Sequence, residues 1–169
     1  MKQVSIILMI SLILFGCSNP SMDNSNAPDQ IQRDGDQMIA SKQIGEYELQ
    51  LIIEETKDHT FIFQPGIKYI GIEADNEILH SKQILDVDLQ IDGETILPPR
   101  SSTSEGLTTK LMKDHWYSEK YEITLTSEQI EQIKNSDVDI VLNAVFQSDQ
   151  SSFEDEKKII ISAEEVLVN

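Results

Sequence analysis

Two pairs of carboxylates, each spaced two residues apart, are the side chains of this sequence best suited to binding a ligand. Asp86 and Asp88 form one pair, and Asp137 and Asp139 form the other. Because side chains alternate between the two faces of a strand, each pair is predicted to point to one face. If the strands that carry them are neighbours, the carboxylates form a negative patch that suits a cationic ligand. The alternative is an ordinary solvated face, the more usual role of acidic side chains.

A second candidate is the aromatic pair Trp116 and Tyr117, which follows a Ser/Thr-rich stretch predicted to be a long loop up to residue 109. Aromatic side chains on the rim of a loop are frequent anchors for binding partners. The chain has a single tryptophan, however, and a small domain commonly uses such a large side chain in its core. We therefore expect Trp116 to be a core residue.

The sequence has none of the common patterns of catalytic, metal or cofactor sites. His59, His80 and His115 are far apart, and no HExxH, CxxC, GxSxG, GxGxxG or Walker pattern occurs. The segment from Asp86 to Gly93 is only superficially similar to a calcium loop, because its glycine comes too late for the required turn. We therefore expect no enzymatic activity, no bound metal and no cofactor.

The charge of the chain narrows the class of partner. Thirteen Lys and Arg residues stand against 30 Asp and Glu residues, which gives a formal net charge of −17. We expect no nucleic-acid partner for such a chain, because binding phosphates requires a basic surface. An acidic domain attracts cations and cationic peptides instead.

The N-terminus has the pattern of an export signal. Lys2 is followed by an apolar run at residues 4–15 that is too short to span a bilayer, which takes about 20 residues. The run ends in Leu14-Phe15-Gly16-Cys17, and Cys17 is the only cysteine of the chain. The alternative is an uncleaved amphiphilic anchor with an incidental cysteine.

These first seventeen residues resemble the signal and lipobox of bacterial lipoproteins. The resemblance implies that residues 1–16 are a signal peptide, that Cys17 carries diacylglycerol, and that the protein is anchored by lipid at the extracytoplasmic face of the cell membrane. Two acyl chains anchor a protein firmly, whereas one gives only marginal attachment. Removal of residues 1–16 leaves the chain more acidic still, so we expect the domain to stay away from anionic lipid.

Residues 17–43 are predicted to be a lipidated flexible linker, and residues 44–169 a β-rich globular domain. From residue 18 to about Lys42 the chain is rich in Ser, Asn, Asp and Gln and shows no sustained period, so we expect disorder there. From Gly45 the apolar residues alternate with polar ones, which is typical of half-buried strands.

The domain is predicted to be mainly β, either an antiparallel β-sandwich, immunoglobulin-like, or an open barrel, with one short helix. A mixed sheet is the remaining alternative. We expect separate strands at residues 60–63 and 67–72 with a turn between them, and a hairpin about Asp92-Gly93. One strand should cover residues 116–125, followed by a helix that Thr126 caps. A central strand at residues 138–146, a strand at 158–162 and its continuation at 166–168 complete the domain.

In size, anchor and acidic β-domain the chain is similar to small lipid-anchored immunity proteins of lantibiotic producers. The resemblance is one of organisation and implies a non-enzymatic protein that sequesters a cationic peptide outside the membrane. The alternative is a cell-envelope accessory or assembly protein that binds another exported protein. The expected partners are thus the membrane, through Cys17, and a cationic peptide or an exported protein.

Overall fold

The computed structural model describes residues 26–57, 59–98, 106–149, 152 and 155–167. The predicted signal peptide, Cys17 and the first part of the predicted linker lie outside these residues. The described residues form eleven strands and two helices: β1 (Gln30–Asp34), β2 (Gln37–Ile44), β3 (Tyr47–Glu55), β4 (Thr60–Tyr69), β5 (Asp75–Ile91), β6 (Glu94–Thr95), β7 (Leu107–Met112), β8 (Trp116–Ser118), β9 (Tyr121–Thr124), α1 (Ser127–Asn135), β10 (Val138–Gln147), β11 (Lys158–Ser162) and α2 (Glu164–Leu167).

The strands form two antiparallel sheets. In the first sheet, β1, β2, β3 and β4 follow one another as a meander, and both β8 and β9 pair with the far side of β4. In the second sheet the order is β11, β10, β5 and β6, and β7 pairs with the first half of the long strand β5. One face of each sheet is apolar and the two apolar faces meet in a single core.

The prediction of a mainly β antiparallel sandwich is confirmed, and the two sheets do not close into a barrel. Alternation places Tyr47, Leu49, Leu51 and Ile53 of β3 in the core, because side chains of a strand point in turn to opposite faces. The meander of the first sheet differs from the interleaved strand order of immunoglobulin domains.

The expectation of disorder up to Lys42 is wrong for the described part of that segment. β1 and most of β2 lie there, and Met38 and Ala40 of β2 are buried in the core. The Lys42 ammonium donates a hydrogen bond to the Ala27 carbonyl oxygen at 2.6 Å. The segment is polar because β1 is exposed along its whole length, and an edge strand of this kind has the composition of a linker.

The predicted turn at residues 64–66 is also wrong, because these residues lie inside β4. Pro65 is opposite Leu51, and its carbonyl oxygen accepts a hydrogen bond from the Glu119 amide at 3.1 Å. The N–H and C=O of one residue in an antiparallel strand point to the same neighbour. The missing N–H of Pro65 therefore points to the gap between β8 and β9, and the β3–β4 ladder loses no donor.

Three other expectations are corrected. The strand predicted at residues 116–125 is two strands, β8 and β9, interrupted at Glu119 and Lys120. The predicted loop up to residue 109 contains the start of β7, which pairs with β5. Val166 and Leu167 belong to the short helix α2 where a strand was expected at residues 166–168, and residue 168 lies outside the described residues.

Two local predictions are confirmed in detail. The β5–β6 hairpin turns at Asp92 and Gly93, whose φ angles are 50° and 82°, as a type I′ turn requires. α1 begins after Thr126, whose side chain accepts a hydrogen bond from the Gln129 amide at 3.2 Å while the Gln129 side chain accepts one from the Thr126 amide at 2.9 Å. Neither α1 nor α2 has the length and apolar character needed to cross a membrane, within the described ranges.

Candidate functional site

The two strands that carry the acidic pairs are neighbours in the second sheet. On its outer face Asp86 is opposite Asn143, Asp88 is opposite Val141, and Gln90 is opposite Asp139. Asp86 and Asp88 therefore share one face, as their spacing predicted, and the pairing of β10 with β5 places Asp139 on the same face. Asp137 precedes β10 and is exposed.

Asp139 and Asp137 are close enough to repel each other. Burial, followed by the charge of Asp137, raises the pKa of Asp139 above the ordinary value of 3.8. Both causes disfavour the ionised form of Asp139. The pair at the start of β10 thus holds negative charge at a cost to stability.

Asp88 is half-buried and held in place by neutral donors. Its carboxylate accepts hydrogen bonds from the Leu89 amide at 2.9 Å, from the Gln90 side-chain amide at 3.0 Å and from the Thr95 hydroxyl at 2.5 Å. These bonds orient the side chain, and none of the three donors carries a positive charge. Such a group attracts a cation more strongly than a carboxylate already in an ion pair.

A bulge in the second sheet opens a groove beside Asp86 and Asp88. Between the pairs Ala144–Leu85 and Phe146–His80, residues 81–84 of β5 are opposite Val145 alone. Bulges bend a strand and redirect its side chains. The resulting groove has a volume of about 480 Å³, and its lining includes Ser81, Gln83, Asp86, Asp88, Leu97, Pro98 and Val145.

The groove combines negative charge with apolar surface. Asp86 and Asp88 lie along β5, whereas Leu97, Pro98 and Val145 supply apolar contacts. Val145 is 47% exposed, although it lies on the central strand β10. This composition suits a ligand that carries both a cationic group and an apolar side chain.

A second groove adjoins the first. It has a volume of about 640 Å³ and shares Leu97 and Pro98 with the first groove. Its lining continues to Glu122 of β9 and to Gln129 of α1. The two grooves together give a track longer than a single side chain would fill.

The bulged segment of β5 is fastened to the first sheet by polar side chains between β8 and β9. The Ile84 amide donates a hydrogen bond to Glu119 Oε1 at 3.4 Å, and the Tyr117 hydroxyl donates to the same oxygen at 3.3 Å. The Tyr121 hydroxyl lies within hydrogen-bond distance of the Leu85 carbonyl oxygen, at 2.6 Å, and of the Glu119 carboxylate. Glu119 thus connects the two sheets behind the groove.

The environment of Glu119 changes the titration of Tyr117. Burial, the charge of Glu119 and the hydrogen bond to Glu119 all raise the pKa of Tyr117 above 10.0, with burial the largest cause.

The alternation of residues 116–125 indicated which side chains face the core, but it did not indicate that Glu119 and Tyr121 contact β5.

The expectation that Trp116 belongs to the core is wrong. Trp116 is 40% exposed on the outer face of the first sheet, opposite Lys68, whose ammonium nitrogen lies 4.6 Å from the ring centroid. Lys68 also forms an ion pair with Glu48 at 2.5 Å. Tyr117 faces the other way and is packed against the core. Neither aromatic residue lines the acidic groove.

The three histidines stay separate in the structure. His80 is buried, and its Nε2 lies 2.8 Å from the Thr109 hydroxyl. His115 is exposed, and its Nδ1 lies 2.8 Å from the Lys113 carbonyl oxygen. Among the residues that the structure describes, no three His, Cys, Asp or Glu side chains are grouped so as to hold a metal ion.

The chain matches no protein-family model, no curated protein and no solved structure. The function of the chain is therefore inferred from the chemistry of the site itself.

Proposed function

We propose that this chain is a lipid-anchored, non-enzymatic binding protein of the extracytoplasmic face of a bacterial cell membrane. In this proposal Cys17 carries the lipid, and the groove beside Asp86 and Asp88 sequesters a cationic amphipathic peptide such as a lantibiotic. The Leu14-Phe15-Gly16-Cys17 sequence supports the anchor. The acidic and apolar lining of the groove supports a cationic amphipathic peptide as the ligand.

One observation carries the choice of ligand: two carboxylates and exposed apolar side chains line the same groove. A Lys or Arg side chain would form charge-assisted hydrogen bonds with Asp88, and the charge of Asp86 would add to the attraction. A neighbouring apolar side chain of the peptide would contact Val145 and Leu97. Burial of apolar area contributes about 25 cal/mol per Å² to such binding.

The binding test uses the full lipidated chain in nanodiscs and isothermal titration calorimetry with a cationic lantibiotic. Substitution of both Asp86→Asn and Asp88→Asn should weaken binding about tenfold or more, because hydrogen bonds to charged groups contribute about 1.5–3 kcal/mol each. Asp139→Asn is the matched control. It removes a charge from the same sheet face but outside the groove, so binding should change little.

Two results would contradict the proposed site. Equal loss of affinity in Asp139→Asn and in the double variant would show that only the overall charge matters. Unchanged affinity in the double variant would remove the groove from the interaction altogether. In cells, loss of the protein should increase sensitivity to the peptide, and unchanged sensitivity would argue against sequestration.

A second candidate function is supported by the edge of the first sheet. β1 pairs with β2 on one side, its five residues are all exposed, and Ile31 is 47% exposed. A strand of another exported protein could extend the sheet there, as an accessory or assembly protein would require. Salt separates the two functions, because the Debye length falls from about 10 Å at 0.1 M to 3 Å at 1 M. Partner capture that 1 M salt leaves unchanged would favour the second function.

A further inference from the structure

Strand β9 is paired along one edge only. It pairs with β4, and no strand in the described part of the chain pairs with its other side. The Leu125 amide donates a hydrogen bond to the His59 carbonyl oxygen at 3.0 Å, and the Glu119 amide donates one to the Pro65 carbonyl oxygen at 3.1 Å. The odd-numbered residues of this stretch therefore direct their backbone polar groups to β4.

The even-numbered residues direct their backbone polar groups away from β4. The N–H and C=O of one residue in an antiparallel strand point to the same neighbour, and consecutive residues alternate. Lys120, Glu122 and Thr124 therefore present their N–H and C=O groups to the side of β9 that has no partner strand. We call these groups the open edge. Unpaired groups in such a row are a template for another strand.

The second groove runs along the open edge. Its lining includes every residue from Lys120 to Thr124. Because the side chains of a strand alternate between its two faces, a cavity that touches each consecutive residue follows an edge of the strand. The edge on the β4 side is occupied. The groove therefore follows the open edge.

The opposite wall of the second groove comes from the chain that follows β6. Leu97 and Pro98 lie in this wall. The Ile96 amide, just before them, donates a hydrogen bond to the Leu89 carbonyl oxygen at 2.9 Å, and the Gln129 side-chain amide donates one to the Ile96 carbonyl oxygen at 3.0 Å. This wall is thus fixed to β5 and to α1, and the groove has a structured wall on each side.

The second groove leads to the carboxylate of Asp88. Leu97 and Pro98 line both grooves, and the hydroxyl of Thr95, two residues before Leu97, donates a hydrogen bond to Asp88. A ligand that occupies both grooves therefore extends from β9 to this carboxylate. The first sheet is also open at β1, but β9 is the edge that borders the track to Asp88.

The side chains of β9 define the chemistry of an incoming strand. Glu122 is exposed, whereas Tyr121 and Ile123 pack against the core. A residue opposite Glu122 would share its face, and opposite charges directly across two strands stabilise their pairing. Lys120 is exposed on that face as well, so a cationic side chain is expected opposite Glu122 and not opposite Lys120. The alternate residues would point inward, toward Leu97. An extended segment with alternating cationic and apolar side chains fits both requirements.

We infer that the peptide of the proposed function binds in an extended conformation as an added strand, with its backbone paired to the open edge and a cationic side chain beside Asp88. The inference rests on that proposed function and specifies how the ligand is recognised. Main-chain hydrogen bonds supply affinity in this mode of binding, and the side-chain contacts supply specificity. Glu122 and Asp88 select cationic residues, and Leu97 selects an apolar one.

Hydrogen exchange at individual amides tests the pairing directly. Full-length lipidated protein in nanodiscs is exchanged with and without a short linear peptide of alternating Lys and Val, quenched, and read by NMR. With the peptide at about ten times its Kd, exchange at the Glu122 and Thr124 amides should slow about tenfold, because these amides are open only in the free protein. The Tyr121 and Ile123 amides, already directed to β4, are internal controls and should change little.

Two matched comparisons separate backbone pairing from charge. Glu122→Pro removes an N–H from the open edge and none from the β4 ladder, so the domain should fold while peptide binding weakens about tenfold. Glu122→Gln keeps the N–H and should weaken binding less. A peptide with the same Lys and Val residues in two blocks has the same charge without the alternation, and it should bind more weakly than the alternating peptide.

Several outcomes would overturn strand addition and leave the proposed function in place. These are peptide binding that does not slow exchange at Glu122 and Thr124, slowing in β1 instead of β9, equal loss of affinity in Glu122→Pro and Glu122→Gln, and equal affinity of the two peptides. Binding of a cationic lantibiotic without binding of the alternating peptide would have the same meaning. Binding of neither ligand would overturn the added strand and the proposed function together.

Discussion

Glu119 offers a direct test of how the first sheet supports the groove. The Glu119 carboxylate accepts hydrogen bonds from the Ile84 amide and the Tyr117 hydroxyl, and it lies beside the Tyr121 hydroxyl. Glu119→Gln keeps the size of the side chain and removes its charge. Glu119→Ala removes the contacts altogether.

The two variants should differ in magnitude. Charge-assisted hydrogen bonds are roughly twice as strong as neutral ones, and two of the bonds here are long, so Glu119→Gln should lower the free energy of unfolding by about 1 kcal/mol. Glu119→Ala also leaves the buried Ile84 amide without that acceptor, so the loss should be about 2–3 kcal/mol.

Two assays report these effects separately. Urea unfolding followed by circular dichroism gives the change in free energy of unfolding. Spectrophotometric titration of the four tyrosines, compared with that of Tyr117→Phe, gives the pKa of Tyr117. Glu119→Gln should lower this pKa toward 10.0, because the charge of Glu119 is one cause of its raised value. The pKa should stay above 10.0 in the variant, since burial is the larger cause.

Glu122→Gln is the control, because Glu122 is an exposed residue of β9 three positions from Glu119. It should change neither the stability nor the titration. If Glu119→Gln behaved like Glu122→Gln in both assays, Glu119 would not connect the sheets as described. A fall in stability with an unchanged tyrosine titration would show that the carboxylate does not face Tyr117.

Three further results are expected. Asp139→Asn should stabilise the domain at pH 7, because Asp139 has a raised pKa and its ionised form is disfavoured in the folded state. The gain should vanish as the pH falls below 3.8, where the side chain is protonated in folded and unfolded chains alike. Urea unfolding midpoints of both proteins, measured at pH 7 and below pH 3.8, test this. Thr126→Ala should lower the free energy of unfolding by about 1 kcal/mol, because it removes the hydroxyl that accepts a hydrogen bond from the Gln129 amide. A loss of less than a few tenths of a kcal/mol would contradict this prediction. Cys17→Ser should release the protein from membranes in cell fractionation with an unchanged circular dichroism spectrum, and retention at the membrane would argue against lipidation.

Several elements could be predicted from the sequence because their determinants lie within a few residues. Asp92 and Gly93 tolerate the positive φ angles of the hairpin turn, and Thr126 and Gln129 satisfy the first amides of α1 by themselves. The alternation of β10 likewise indicated a central strand, since its second face is partly apolar. Cys17 and its lipidation stay predictions of the sequence alone.

Other elements could not be predicted, because their stability comes from residues distant in the chain. β1 has the composition of a linker and is ordered by pairing with β2. Pro65 is compatible with β4 only because its missing donor points to the gap between β8 and β9. Trp116 is exposed because the pairing of β8 with β4 places its side chain on the outer face of the first sheet.

The candidate site shows the same division. The sequence by itself determined that Asp86 and Asp88 share a face and that the chain is strongly acidic, because a strand's side chains alternate with a period of two. Only the tertiary structure decided that β10 is the neighbour of β5, that Val145 lies opposite a bulge, and that Glu119 supports it from the other sheet. These features depend on pairing between segments tens of residues apart, and no local pattern specifies which strand a given strand will meet.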